Sequence, residues 1–278
     1  MNYDLSVAWR IYPKVSRTPI VHTDNKYELV KTCLKSFISC VINLKVKYFF
    51  VLDGCPSEYK SLLETLFDKN DLVIIETSSI GNELTFKKQI EILLNQNYSD
   101  KIYFAEDDYF YLPNTFECCI NLLENKEVDF ISLYQHSDTF TNNIHNHNRE
   151  LKFYADQLWH TDSSTCLTFL TTKKLLRKTK NIFLTYCHGN FDVCIWLIIT
   201  GTFFRNPFSY IQFYLFDRSS FWILKTAFKK GFKFIFIPKK YNLWIPYPAL
   251  ATHLEKDFIS PKIDWVKKIA EFEAKFTN

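Results

Sequence analysis

Glycine is scarce in this 278-residue chain, with five in all. That excludes collagen-like repeats and glycine-rich disordered segments. The eight cysteines form no CxxC pair and follow no regular spacing. They exclude a disulfide framework or a cysteine zinc site and read as small buried hydrophobes in a reducing compartment. Met1-Asn2-Tyr3-Asp4 is not a basic stretch leading into an apolar run, so no signal peptide is expected and a cytoplasmic place is. No internal repeat and no clear linker interrupt the chain, which is long enough to bury one sizeable core.

Charge is unevenly spread beneath the net +4. From Trp196 to Lys240 there are eight Lys or Arg against one acid, Asp217, net +7, and the remainder holds 26 bases against 29 acids, net −3. The same window carries fourteen aromatics, among them Phe203, Phe204, Phe208, Tyr210, Phe213, Tyr214, Phe221 and Trp222. Its longest uncharged run, between Arg205 and Asp217, has eleven residues, short of the roughly 18 that a membrane span needs. Three uses fit such a window: core helices with snorkelling lysines, a peripheral contact with an anionic membrane, and nucleic-acid binding. They are ranked in that order, and nucleic acid is a distant third.

Periodicity gives an alternation of strand and helix. Leu5 to Tyr12 is β-rich. Asn25-x-x-Glu28 is a capping box before Tyr27, Val30, Leu34, Phe37 and Val41 at helical spacing. Tyr48 to Leu52 is a buried-strand run that ends in the turn Asp53-Gly54-Cys55-Pro56, with a short helix through Ser57 to Phe67 and a strand at Leu72 to Ile75. Phe86, Ile90, Leu93 and Leu94 mark a helix, and Ile102 to Ala105 a fourth strand. This predicts an α/β fold with a mainly parallel central sheet flanked by helices. Further on, Asn114-x-x-Glu117 is a second capping box, Asp129 to Tyr134 and Thr165 to Leu170 read as strands, and Gln135 to Glu150 as a loop. Asn190 caps a helix to about Thr200, and Ser260-Pro261 opens a last helix with Ile263, Val266, Ile269 and Phe272 or Phe276 inward.

Three consecutive acids, Glu106-Asp107-Asp108, follow the fourth strand. Clustered carboxylates repel unless a cation is shared, and hard divalent ions take such oxygens together with substrate phosphates. Ligands of open α/β sheets bind beyond the carboxyl ends of the strands, where Asp53 also falls. Arg10, set between Trp9 and Ile11, belongs at the cleft end of its strand, within reach of phosphate or base.

The order Val7-Ala8-Trp9-Arg10, Val51-Leu52-Asp53-Gly54 and Glu106-Asp107-Asp108 resembles the N-terminal half of a GT-A glycosyltransferase, most like family 2, over about residues 5–135. The resemblance implies a GT-A-like (Rossmann-like) sheet, with a nucleotide-sugar-binding half at 1–135 and a helical, aromatic acceptor-binding half at 136–278 in one continuous catalytic domain. It implies that Asp53 meets the nucleotide base, UDP being favoured. Glu106 then lies near the ribose, and Asp108 ligates Mn²⁺ or Mg²⁺, with Asp107 between them. Glu stands where the family has Asp first in the motif, and Leu-Asp-Gly where a double Asp is common. A basic side chain in the preceding helix, Lys87 or Lys88, also has counterparts among similar enzymes.

Inverting transfer needs a carboxylate to deprotonate the acceptor hydroxyl. By resemblance Asp192, opening its helix, is the expected base, although an acid in a first helical turn is also stabilised by the helix dipole alone. Asp162 is the second candidate. His253 is the expected late metal ligand, and imidazole with carboxylates suits Mn²⁺ better than Mg²⁺. A His ligand there is also compatible with retention. The expected partners are a nucleotide-sugar donor and a glycan or lipid-linked acceptor, which would place the protein at the inner face of a membrane. Two rivals stand beside this reading. One is a nucleotidyltransferase, disfavoured because Tyr12 to Arg17 has no glycine. The other is a non-catalytic membrane or glycan-binding protein that kept a transferase fold.

Overall fold

The computed structural model describes residues 2–15, 18–202, 208–236 and 239–275. The chain begins β1 (Leu5–Ile11), α1 (Lys26–Cys40), β2 (Val46–Asp53), α2 (Ser57–Leu66), β3 (Leu72–Thr77), α3 (Gly81–Asn95) and β4 (Lys101–Glu106). It continues through β5 (Tyr109–Tyr111), α4 (Phe116–Leu122), β6 (Phe130–Ile131), α5 (Asp138–Thr141), β7 (Leu151–Tyr154), β8 (Gln157–Asp162), β9 (Phe169–Thr172), α6 (Lys173–Phe183) and α7 (Asp192–Thr200). The last elements are α8 (Phe208–Phe216), α9 (Arg218–Ile235), β10 (Leu243–Tyr247), β11 (Ala251–His253) and α10 (Trp265–Ala274).

Nine strands form one sheet in the order β3-β2-β1-β4-β9-β6-β10-β8-β7, and β5 pairs with β11 in a separate ribbon. β3, β2, β1 and β4 are mutually parallel, so their carboxyl ends share one edge. β2 is buried along its whole length, as a strand covered on both faces must be. Asn25 accepts from the Glu28 N–H and starts α1, which turns Leu29, Val30, Cys33, Leu34 and Phe37 inward. On that face Phe37 is wedged among Trp9, Tyr103, Tyr111 and Phe116, with ring centroids 5.0–5.7 Å away. The opposite face packs Phe86, Phe104, Phe169, Phe183 and Trp196 beneath α3, α6 and α7.

The α/β class and its central, largely parallel sheet are as the pattern predicts, but the second half is not simply helical. It adds β7 to β10 to the same sheet, where short strands with few alternating residues left little signal. Gln135 to Glu150 is not a plain loop, because it contains α5 and a 3₁₀ turn at Asn143–His145. The strand expected at Thr165 to Leu170 lies at Phe169–Thr172. Asn114 has φ +58 and caps nothing; α4 starts behind Thr115. Asn190 turns its side chain to the Phe191 N–H and to Thr185, so α7 starts one residue later than predicted. The last helix begins at Trp265 behind the Asp264 cap, and Val266 points to solvent. Phe276, like Phe203 and Phe204, lies outside the described residues. Of the basic aromatic window, the α7 portion is core. No helix among the described residues is long and apolar enough to cross a membrane.

Phe37→Ala removes a ring that five aromatic neighbours enclose, Tyr48 being the fifth. It is expected to lower unfolding free energy by about 3–5 kcal/mol in urea titration.

Candidate active site

β1, β2 and β4 end in register, with Arg10 paired to Val51 on one side and to Glu106 on the other. Their carboxyl ends, the start of α3 and the β4–β5 turn enclose a hollow of about 370 Å³ lined by Arg10, Tyr12, Lys26, Asp53, Asn82 and Asp108, among others.

Asp53 is buried at its floor. Its Oδ1 accepts from the Thr77 hydroxyl at 2.8 Å and the Ile80 N–H at 2.7 Å, and its Oδ2 accepts from the Gly81 N–H at 2.8 Å. The carboxylate thus ties the end of β2 to the loop that enters α3. Gly54 completes the turn at φ +66, a left-handed conformation in which a Cβ would also strike the Ser79 side chain.

The acid triplet is divided by its partners. Glu106 is held by the Arg10 guanidinium and by the Thr168 hydroxyl, which donates at 2.8 Å. Arg10 also donates to the Asn82 carbonyl at 3.0 Å. Asp107 accepts from Lys26 Nζ at 2.8 Å and the Tyr12 N–H at 2.7 Å. Burial by itself lowers the Lys26 ammonium, but the charges of Asp107 and Asp108 outweigh it and hold the group above its ordinary value. Asp108 differs, because its Oδ1 is buried with no hydrogen-bond partner.

β11 lies antiparallel to β5, with His253 opposite Tyr109, and this brings His253 Nε2 to 3.4 Å from Asp108 Oδ2. Asp108, His253 and Glu255 each offer one ligand atom within 4.8 Å of the others. A carboxylate–imidazole–carboxylate set in which Asp108 also keeps one oxygen without a hydrogen-bond partner fits a divalent ion, Mn²⁺ better than Mg²⁺ because of the nitrogen ligand. The Glu255 N–H donates to His253 Nδ1 at 3.2 Å. Ligation through Nε2 would therefore move the ring proton to Nδ1 and give up that bond.

A second hollow, about 390 Å³, shares Arg10, Asn82, Glu106 and Asp108 with the first and runs on to Tyr186, Asp192, His253 and Glu255. Asp192 opens α7 and accepts from the Val193 N–H at 2.8 Å. It keeps partial solvent contact, yet the protein packed around it pushes its carboxyl above the usual carboxylate range.

Not every residue singled out by sequence reaches this edge. Lys87 faces solvent on the side of α3 opposite Thr85, 4.0 Å from Glu91, and Lys88 is half-buried and lines neither hollow. The helix presents Gly81, Asn82 and Thr85 to the hollow instead. Asp162 lines neither hollow. Its carboxylate is enclosed, takes the Ser163 N–H at 2.6 Å, and lies 3.9 Å from Arg149. Burial pushes it up to about 6.

Besides Arg10, the cations lining the first hollow are Lys14 and Lys26, neither of which was singled out by sequence. A lysine at the first position of a helix opposes the helix dipole, and for Lys26 that was the available hint of a buried acid elsewhere. Glu255 gave no such signal, because β11 ends at His253 and a bend at Leu254 brings the acid round to it.

No family model matches the chain, and no curated protein matches it in sequence. Among solved structures it is similar to the galactosyltransferase LgtC in complex with donor and acceptor sugar analogues, at 9% identity and TM-score 0.46 over 97% of this chain and 95% of that one. It is also similar to 4-diphosphocytidyl-2C-methyl-D-erythritol synthase from Anaerococcus prevotii, at 13% identity and TM-score 0.45 over 99% and 96%. A mannosyltransferase from Pyrobaculum calidifontis, in complex with GDP-Man and Mn²⁺, aligns at 12% identity and TM-score 0.44 over 84% and 76%. Likeness at this level carries no argument about activity.

Asp53→Ala strands the Ile80 and Gly81 N–H groups and is expected to cost about 2–3 kcal/mol in chemical denaturation. For Asp162 the folded-state value lies above the unfolded one, so folding takes up a proton between them. Its contribution is full below the unfolded value and is lost as pH rises through about 6. Asp162→Asn should therefore gain about 1–3 kcal/mol over the natural protein near pH 7, and melting curves should show the gain closing near pH 4.

Proposed function

We propose that the protein is a metal-dependent GT-A-type glycosyltransferase that moves a sugar from a nucleotide diphosphate, UDP in preference, to a hydroxyl of a glycan or lipid-linked acceptor. One observation carries the reading. Asp108, with its orphaned oxygen, lines two adjoining hollows, and its cluster partners His253 and Glu255 line the second of them. A transferase needs that arrangement, with donor on one side, acceptor on the other and the leaving diphosphate at the boundary.

The first hollow takes the nucleotide. Gly81 lines it, and a Cβ there would meet nothing within 4 Å, so flat backbone faces open space suited to a planar base. Both bonds to Asp53 Oδ1 are taken up by the chain, while Oδ2 has one partner among the described residues. One open acceptor matches the single N3–H of uracil better than the paired donors of a guanine edge. Glu106 orients Arg10, and Lys14 adds positive charge where phosphates would lie.

Asp108, His253 and Glu255 would hold the ion. It would supply charge stabilisation to the departing diphosphate oxygen as a Lewis acid. Across the boundary Asp192 takes the acceptor hydroxyl proton while the hydroxyl oxygen attacks the anomeric carbon on the face opposite the diphosphate; the bond from that carbon to the diphosphate oxygen breaks in the same step, so the configuration inverts. Its raised affinity for a proton suits a base, because the group must hold the proton it removes.

Thermal melting with UDP-sugars, each with and without Mn²⁺, tests this reading, since a ligand stabilises in proportion to the logarithm of its concentration over Kd. The expected result is a rise that requires the metal and disappears in Asp108→Ala and His253→Ala. Asp192→Asn is expected to keep the rise and lose about 10²- to 10⁴-fold in UDP release. Absence of any shift at every Mn²⁺ concentration overturns the proposal.

A further inference from the structure

One surface of the described residues plays no part in the transfer chemistry. α9 turns Ser220, Leu224, Ala227, Gly231 and Ile235 inward, and Gly231 lies so close to α7 that a Cβ would collide with Ile198. At 3.6 residues per turn, Arg218, Trp222, Lys225, Lys229, Phe232 and Lys233 then fall within about 100° of arc on the opposite side. All six are exposed, Trp222 to 53%. Four cations and two aromatics share this face without an acid. The nearby Asp217 is committed as the α9 cap, accepting from the Ser220 N–H at 3.1 Å and from the hydroxyls of Ser219 and Ser220.

α8 extends the surface. It leaves Ile211, Tyr214 and Leu215 exposed and Phe216 83% exposed, and Tyr214 packs on Phe221 of α9 at 5.1 Å. An ordinary solvated helix face does not gather aliphatic, aromatic and basic side chains while excluding acids. The surface also reaches the acceptor side of the cleft. Phe191, next to Asp192, packs on Trp222 at 5.0 Å, and Lys230 Nζ donates to the His188 carbonyl at 2.6 Å.

We propose that the outward face of α8 and α9 docks on an anionic lipid bilayer, with the aromatic and aliphatic side chains at the headgroup boundary and Arg218, Lys225, Lys229 and Lys233 against lipid phosphates. The inference goes beyond the transfer reaction and stands whether or not that reaction is correct. Charge complementarity selects the occupant. Four cations on one face oppose a second copy of the same face across a two-fold contact. A single-stranded nucleic acid would use the charges and rings, but it offers nothing to Ile211 and Leu215. A bilayer meets all three kinds of side chain. Docked in this way, the second hollow would open beside the membrane, within reach of a lipid-linked hydroxyl.

The test is co-sedimentation of the full chain with vesicles of phosphatidylcholine alone and of phosphatidylcholine doped with phosphatidylglycerol. Binding is expected to the doped vesicles only and to weaken with salt. The triple variant Lys225→Glu, Lys229→Glu, Lys233→Glu should bind about a hundredfold more weakly or worse. It should also keep its melting temperature and its UDP release in solution, neither of which depends on these exposed side chains. Trp222→Phe should abolish a vesicle-induced blue shift of tryptophan emission. Failure of the natural protein to bind doped vesicles overturns the proposal. So does undiminished binding by the triple variant, capture of a single-stranded oligonucleotide in place of vesicles, or a dimer that buries this face.

Discussion

Acidic side chains crowd one edge of the sheet, and they can be buried only if each finds a counter-group. Asp53, Glu106, Asp107 and Asp108 converge where β1, β2 and β4 end, and an unpaired buried charge is among the costliest features a fold can carry. The chain answers each one differently. Asp53 takes two loop N–H groups and a hydroxyl, Glu106 takes Arg10 and Thr168, and Asp107 takes Lys26 and the Tyr12 N–H. Asp108 alone of the four keeps a buried oxygen without a partner. Much of the surrounding architecture follows from those pairings: the α3 entry loop, the placement of Lys26 at the start of α1, and the seating of Arg10 between two strands.

The unsatisfied oxygen sets Asp108 apart from the other acids of the edge. A carboxylate left open beside an imidazole and a second carboxylate is poorly explained as structural support, because each added acid increases repulsion. A shared divalent ion removes the conflict. The position of the cluster matters as much as its composition. Arg10, Asn82, Glu106 and Asp108 form a wall common to both hollows, so whatever is bound at Asp108 touches both sides. Asp192 faces the same space from the far side, carried on an α7 whose remaining residues are nearly all core.

The surface helices obey a different balance. From Cys194 on, α7 is committed to the interior, and α9 covers it with Gly231 at the closest approach. That close approach leaves α9 little need for large inward side chains, and its rings and lysines are placed outside. The contact between Phe191 and Trp222 ties the outer face to the residue beside Asp192, which lines the second hollow. A single helical layer therefore joins the acid-lined edge to the exposed basic aromatic surface.

What sequence alone determined follows from local periodicity. The alternation of strands and helices through Glu106, the cap at Asn25 and the acids at strand ends depend on residues a few positions apart, and they were legible. So was the crowding of Glu106, Asp107 and Asp108, whose mutual repulsion asks for a counter-charge, whereas the choice of Asp108 among them came from the family resemblance. The basic aromatic window was equally visible in composition, although not which of its residues face outward. Tertiary structure decided the rest. It separated Asp162 from the cleft by burying it, turned Lys87 to solvent, and replaced Lys87 and Lys88 with Lys14 and Lys26. It also brought His253 to Asp108 through the β5–β11 ribbon. Those outcomes depend on contacts between residues far apart in the chain. A pattern read along one strand or one helix has no term for which distant element will lie beside it, because packing against the whole core sets that neighbour.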